Sequence, residues 1–595
     1  MRQLPPAILS KSKTFIQLRR LRAPATVSDD EEQHYAHILQ RCAHTSNLPL
    51  GSSIHGHLLK LSLLPASLFL QNHLLNMYFK CAPSPSFPLQ LFDEMPQRNI
   101  VSWSAAIAGL VQLHHPEHAL LLFSQMRSVG IRPNEFTLVS TLNASSLTDG
   151  AAQAHRIYAH VVKLGFQSNV FLVNSFLTAL FRIGRINEAA ELFEKCEEKD
   201  VVSWNSMISG YLQFGSSDVW GFWCRMNREG VNPDEFSFSS VLTGLAKASI
   251  FMAGDQVHGQ LVKSGFGDDV CVGNALVDMY LKNQSPVDAL KVFDEMPQRD
   301  VVSWTEMASG CLLSGQPSKA IELVQRMKLA GIKPNKFTLA TMFNACANLV
   351  SLEEGKKGHG FRIKLGVEID ECVDNALVDM YAKCGTMDYA WRVFQSMKAR
   401  SVISWTTVIM GFALNGLARK ALKAFDEMIS DRIEPNEITL TCVLYACCQG
   451  GYVDEGLKYF EAMQHKHRIV PREDHYVCMV DLLSRAGRIA EAEAFILNAP
   501  FKLGVRVWQT LLGACRVYGD LPTGERAAKE AIALDKQDPS TYLLLSNMFA
   551  NSCNWDGVRR VRELMENWQV KKVPGSSWIE VTKDDNHHQM LSLID

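Results

Sequence analysis

The chain has 595 residues, 47% of them hydrophobic, with 60 basic against 62 acidic side chains and a formal net charge of −2. No apolar run approaches the ~18–20 residues that a membrane span needs. The near-neutral balance excludes attachment to nucleic acid by bulk electrostatics, so any such contact must rest on base edges and local basic patches.

Residues 1–28 carry six basic residues (Arg2, Lys11, Lys13, Arg19, Arg20, Arg22) and no acidic one, and removing those six from −2 leaves −8 for the remainder. With Ser10, Ser12, Thr14 and Ser28, this is the composition of an organelle transit peptide, expected over residues 1–31. A disordered basic tail is the alternative reading. The arginine bias favours the mitochondrion over the chloroplast.

From residue 32 onward one period organises the chain. The stretch Arg299-Asp300-Val301-Val302-Ser303-Trp304 has near copies ending in Trp103, Trp204 and Trp405, steps of 101, 100 and 101 residues, with a weaker echo at Val507-Trp508. Such regularity predicts a repeat array rather than several globular domains. Within one period, residues 301–335 place apolar residues at helical spacing on both sides of Gly315 and stop at Gly331-Ile332-Lys333-Pro334. That pattern predicts a helix–turn–helix of 35 residues. Residues 336–370 and the shorter 371–401 complete the period. Residues 82–88 are Pro-rich, and the unit 201–234 is one residue short before Met226; both predict weaker local packing.

None of the fifteen cysteines has C-x-x-C spacing, and Cys346, Cys384, Cys447 and Cys515 sit at small apolar positions. They are expected to be buried free thiols, in keeping with a reducing compartment. Trp103, Trp204, Trp304 and Trp405 could stack on bases, but their fixed place on an apolar helix face favours a core role. His55, His258 and His359 recur at one register, with Tyr158 substituting. Equivalent positions about 100 residues apart cannot share a metal, so packing or hydrogen bonding between repeats is expected.

These units resemble pentatricopeptide repeats of the plant P-L-S type, in which ordinary, long and short helical hairpins alternate. The resemblance covers residues 32–504 in about fourteen repeats: L 32–67, S 68–99, P 100–134, then the same order onward, closing with variant L 437–472 and S 473–504. It implies an all-α fold, an α-solenoid in which helix–turn–helix hairpins stack into a right-handed superhelix. Val507-Trp508-Gln509 and Tyr542-Leu543-Leu544 resemble the family's paired E motifs (505–538 and 539–572), and Pro574-Gly575-Ser576 resembles the start of an E-plus region in 573–595.

The resemblance further implies that each repeat reads one RNA base through the fifth and last residues of its unit. Carried over, these pairs are Asn72/Asn99, Ser104/Asn134, Asn174/Asp200, Asn205/Asp234, Asn274/Asp300, Thr305/Asn335, Asn375/Ser401 and Thr406/Asn436. Asn with Asp resembles the family's uracil pair, Thr or Ser with Asn its adenine pair, Asn with Ser its cytosine pair, and Asn with Asn a pyrimidine reader. The implied target is pyrimidine-A-n-U-U-n-U-A-n-C-A. Each n is an L unit, with Val139, Ser239 or Ala340 at its fifth position. Val101, Val202, Val302 and Ile403, the second residues of the P units, would flank bases. A role limited to helix capping is the competing reading for the Asn and Asp residues.

No catalytic site, cofactor or metal is expected. Zinc deamination needs H-x-E with a P-C-x-x-C pair, whereas His115-Pro116-Glu117 falls in a repeat turn without such a pair. Too few residues follow Val581 for a deaminase domain. The resemblance therefore implies a factor that binds single-stranded organellar RNA, selects sites for C-to-U editing and recruits a DYW-type deaminase protein with other editing factors in trans. Splicing, processing or stabilisation of a transcript is the second reading. A tetratricopeptide-like protein scaffold is the third.

Overall fold

The pattern of the period becomes structure through two amphipathic faces. In the helix Val301–Leu313 the buried hydrophobic residues are Trp304, Met307, Ala308 and Cys311, spaced as one face of a helix. In Pro317–Leu329 they include Ala320, Leu323, Val324 and Met327. Between the two helices, Gly315 takes a left-handed conformation at φ +71° and Pro317 occupies the first turn of the second helix, which ends one helix and starts the next within three residues.

The structure, a computed structural model, describes residues 29–61, 63–64, 67–148, 151–215, 218–365, 370–570, 577–578 and 592–593. The basic segment 1–28 and most of the expected E-plus region lie outside the described residues. Among those described are 32 α-helices, running pairwise from Asp29–His44 with Leu48–Lys60 to Pro539–Asn551 with Trp555–Asn567. The chain is an all-α solenoid of helical hairpins, and it divides into two compact units, Met1–Gln298 and Arg299–Asp595. In each unit the first helix of a hairpin packs on the first helices of its neighbours, and the second helix leans on the first helix of the next hairpin.

The repeated tryptophans are core residues. Trp103, Trp204, Trp304 and Trp405 are at most 5% exposed, too buried to stack on a ligand. They meet phenylalanines of the preceding hairpin edge-to-face, as in Phe92–Trp103 at 4.9 Å, Phe193–Trp204 at 4.8 Å and Phe394–Trp405 at 4.8 Å. Gly109 and Gly210 stand where a Cβ would run into the rings of Phe79 and Phe181, so glycine lets consecutive first helices approach closely.

The histidine register joins hairpins by hydrogen bonds. Nδ1 of His55, His258 and His359 lies 2.9 Å from the hydroxyl of Tyr78, Tyr280 and Tyr381, respectively. Tyr158 replaces histidine in the remaining case, and Leu180 stands where the tyrosine would be. Tyr158 stacks instead on Phe176 at 4.0 Å, beside a cavity of about 720 Å³ lined by both residues and by Leu180.

Burial holds all three histidines below the ordinary value of 6.5, against smaller upward pulls from Glu94 on His55, from Asp255 and Glu295 on His258, and from Asp374 on His359; Arg362 adds to the lowering at His359. They are neutral in the folded chain. Unfolding releases them to bind protons at their ordinary pKa, so their contribution is full above 6.5 and is lost as pH falls toward the lowered values. Thermal unfolding should therefore shift to lower temperature on acidification from about pH 7.5 to 5.5. Replacing all three histidines by Gln should flatten that dependence.

The two irregular segments depart from their registers in backbone geometry and helix length. In the S-type hairpins Gly184, Gln284 and Gly385 are left-handed at the turn, whereas Ala82 at that register is extended (φ −79°, ψ 140°). The helix Val219–Arg228 has 10 residues, against 13 in Pro116–Ser128, Pro317–Leu329 and Ala418–Ser430. The fifteen cysteines are all free. Seven are buried, Cys346 and Cys447 among them, and burial pushes the thiols of Cys346 and Cys447 up to about 12. The expectation of burial does not hold throughout: Cys384 is half-buried, and Cys271, Cys372 and Cys553 are exposed. Cys271 and Cys372 are second residues of their helices, a register that turns away from the core.

Candidate nucleic-acid interface

The last residue of each unit is the N-cap of the next hairpin. Asp200 Oδ1 accepts the Ser203 amide at 2.8 Å, and the Ser203 hydroxyl accepts the Asp200 amide at 3.3 Å, a reciprocal capping box. Asn99, Asp234, Asp300, Asn335 and Asn436 form the same box with Ser102, Ser237, Ser303, Thr338 and Thr439, and Asn134 caps through Thr137. Capping is thus a real role of these residues.

It is not their whole environment. The fifth residue of each preceding first helix is delivered to the same cap. Asn174 Nδ2 donates to Asp200 Oδ1 at 3.0 Å, Asn205 Nδ2 to Asp234 Oδ1 at 3.0 Å, and Asn72 Nδ2 to Asn99 Oδ1 at 3.3 Å. The Ser104 hydroxyl donates to Asn134 Oδ1 at 3.4 Å. Thr305 and Thr406 reach their caps through a bridging hydroxyl: Thr305 Oγ1 is 2.6 Å from Thr338 Oγ1, which donates to Asn335 Oδ1 at 3.0 Å. The equivalent distances for Thr406, Thr439 and Asn436 are 2.7 and 2.9 Å.

Asn375 and Ser401 are the exception. Ser401 Oγ caps the Ile403 amide at 3.1 Å, Ser404 turns to Glu371 at 3.1 Å, and Asn375 Oδ1 is buried without a partner among the described residues. Asn274 is the fifth residue of Val270–Lys282, and Asp300 caps Val301–Leu313.

The third residues Ser102, Thr137, Ser203, Ser237, Thr338 and Thr439 were not read as site residues from the sequence, yet they are buried and most hold cap and fifth residue together. The signal was present as the Ser or Thr three residues after each of these caps. In four of the capping groups one atom is left over. Asp200 and Asp234 use only Oδ1 in these bonds, leaving Oδ2 without a partner among the described residues, and Asn335 and Asn436 likewise leave Nδ2. Burial pushes the carboxyls of Asp200 and Asp234 up, but hydrogen bonds from the serine and asparagine donors outweigh it and hold both below the usual carboxylate range. Both are charged acceptors.

Val101, Val202, Val302 and Ile403 are 47 to 60% exposed on the turn that carries the caps. The same second position holds Phe69, Phe136, Phe171, Phe236, Phe337 and Ile438, all exposed, which the sequence reading passed over. Phe136 and Phe171 stand 6.1 Å apart, ring centre to ring centre. A large apolar residue two positions after the cap, as in Asn134-Glu135-Phe136 and Asn169-Val170-Phe171, was the available signal.

Comparison with known proteins decides the family. Models described as PPR repeat or PPR repeat family match residues 101–131, 171–201, 199–247, 274–301, 299–348, 375–402, 400–449 and 438–467, and an E motif matches 518–580. A putative pentatricopeptide repeat-containing protein of Arabidopsis thaliana is 35% identical over 561 residues, 93% of this chain and 81% of the relative. The chain belongs to the pentatricopeptide repeat family. Repeats followed by an E motif place it with the P-L-S class, E subgroup. Two further Arabidopsis pentatricopeptide repeat proteins, one named mitochondrial and one chloroplastic, are each 34% identical; they align with 92% and 94% of this chain and 71% and 65% of their own lengths. The crystal structure of the maize pentatricopeptide repeat protein PPR10 superposes with a TM-score of 0.58 at 16% identity, covering 95% of this chain and 92% of that one. PPR10 in complex with an 18-nt psaJ RNA element superposes with a TM-score of 0.55 at 17% identity, covering 93% and 87%. No group of three or more His, Cys, Asp and Glu among the described residues is placed to hold a metal ion, and no helix among them is long and apolar enough to cross a membrane.

Proposed function

We propose that this pentatricopeptide repeat protein binds single-stranded organellar RNA in a sequence-specific way and selects sites for C-to-U editing. The observation that carries the reading is the pairing of fifth residue and cap, repeated from hairpin to hairpin, with a donor or acceptor left over at Asp200, Asp234, Asn335 and Asn436. Asp, with only lone pairs to offer, suits a base edge with a ring N–H, as in uracil or guanine. Asn, its Oδ1 committed to the cap, offers Nδ2 to an unprotonated ring nitrogen, as in adenine or cytosine. At the fifth position the short Thr or Ser leaves room for a purine, while the longer Asn reaches a pyrimidine. The exposed second residues give each base an apolar surface to lie against. This chemistry agrees with the target pyrimidine-A-n-U-U-n-U-A-n-C-A.

The E motif supports recruitment of a deaminase-bearing protein in trans. Relatives named mitochondrial and chloroplastic support an organelle, and the basic segment 1–28 favours the mitochondrion. The test is cytidine editing across both organellar transcriptomes of a plant lacking this protein. Loss of editing at one or a few sites preceded by a sequence compatible with the target is expected. Intact editing with a missing or misprocessed transcript would sink the editing reading.

A further inference from the structure

One junction between hairpins departs from its own repeat at several positions at once. Where the junctions built on His55, His258 and His359 carry Tyr78, Tyr280 and Tyr381, this one carries Tyr158 and Leu180. Phe176 stands at the register of Leu74, Leu276 and Leu377. Cys196, the half-buried C-cap of Ile186–Lys195, stands at that of Met95, Met296 and Met397, which are only 5 to 6% exposed. Leucine for tyrosine and cysteine for methionine both remove volume, and the result is the cavity of about 720 Å³. At the same place beside His55 and Met95 the cavity is about 220 Å³.

Its walls have two characters. Tyr158 and Phe176 lie nearly parallel, 4.0 Å apart with 9° between their planes, and the His155 ring meets Phe176 edge-on at 5.8 Å. Around these rings stand Glu188, Glu191, Glu197 and Glu198 against a single lysine, Lys195. Glu188 is 2.6 Å from His155 and 3.4 Å from Arg185, and Glu191 is 3.8 Å from Lys195. Glu197 and Glu198 have neither ion pair nor hydrogen bond among the described residues. They replace Pro96-Gln97, Pro297-Gln298 and Lys398-Ala399 of the three histidine junctions.

Aromatic faces and uncompensated carboxylates attract the same kind of group, a cation. The volume is that of a pocket enclosing a small organic molecule, far more than a bare metal ion needs. We infer that this cavity is a binding site for a small organic cation with an aromatic body, such as an aryl amidine. Its ring would lie against Tyr158 and Phe176, and its charge would face Glu197 and Glu198. Such a ligand bridges the second helix of one hairpin and both helices of the next, and restores packing that the other junctions obtain from their own side chains. The inference does not depend on how the repeats read RNA.

The test is calorimetric titration of the full chain with benzamidine and with benzamide, a neutral molecule of nearly the same shape. Benzamidine should bind at least about tenfold more tightly. Glu197→Gln with Glu198→Gln, both on the exposed rim, should weaken benzamidine about threefold or more and leave benzamide unchanged. Tyr158→His with Leu180→Tyr and Cys196→Met, the side chains of the three histidine junctions, should close the cavity and abolish binding of both. Equal affinity for the two molecules, no binding of benzamidine at millimolar concentration, or undiminished binding after the cavity is closed would each overturn the inference. Should the closed variant fail to fold, the rim variant decides: unchanged benzamidine affinity there overturns it as well.

Discussion

Replacing Asp374 by Ala will lower the stability of the unit Arg299–Asp595 by about 3–5 kcal/mol, read as a fall in the midpoint of urea unfolding. Arg362, on the second helix of one hairpin, places Nη1 2.5 Å from Asp374 Oδ1 on the first helix of the next, with side chains only 10% and 6% exposed. Removing the carboxylate strands a guanidinium in a site too closed for water to solvate. Nothing in the fold demands charge there. Leu58, Val161 and Leu261 stand at the register of Arg362, and Gln71, Val173 and Gly273 at that of Asp374. Arg362→Val with Asp374→Val, the combination that occurs naturally at Val161 and Val173, should therefore recover most of the loss, since a buried ion pair is commonly replaceable by apolar residues. A double variant as unstable as Asp374→Ala would show that the pair itself, not the stranded charge, sets the effect.

Changing Thr305 to Asn and Asn335 to Asp will move the base preferred at one position of the target from A to U, by about tenfold each way, leaving the other positions unchanged. The cap survives because Asp accepts the Thr338 amide as Asn does at 2.9 Å. What changes is the outward atom, from the Nδ2 donor to a carboxylate oxygen. Asn at 305 adds reach toward the smaller base. Binding to RNA oligonucleotides differing only at that position measures the effect. Equal affinities for all four bases in the parent and the variant would contradict base reading and favour a protein scaffold.

The fold was legible because the period is long and strict. Trp103, Trp204, Trp304 and Trp405 mark equivalent helices, and the Gly and Pro after each apolar run end them. The reading of the histidine register as a link between hairpins holds in the structure, but its tyrosine partners lay 22 or 23 residues away and could not be matched by spacing alone. At the candidate site the pairs could be named, but not the hydroxyls that join them, because a Ser before a buried Trp looks like ordinary helix sequence. The flanking phenylalanines escaped for the opposite reason: Phe136 or Phe337 on a helix of a packed array reads as core until the helix rotation is known. Arg362 and Asp374 were invisible because they depart from their own repeat register.

The division of labour within each capping group bears on how such a protein can change over generations. Asn and Asp are near equals as N-caps, so exchanging one for the other costs the helix little. The same exchange replaces a hydrogen-bond donor by an acceptor on the atom that the cap leaves over. On the proposed base reading, a single-nucleotide codon change would thus redirect one position of the target without passing through an unstable intermediate. On that reading the array would drift in what it recognises while its packing remained under unchanged selection.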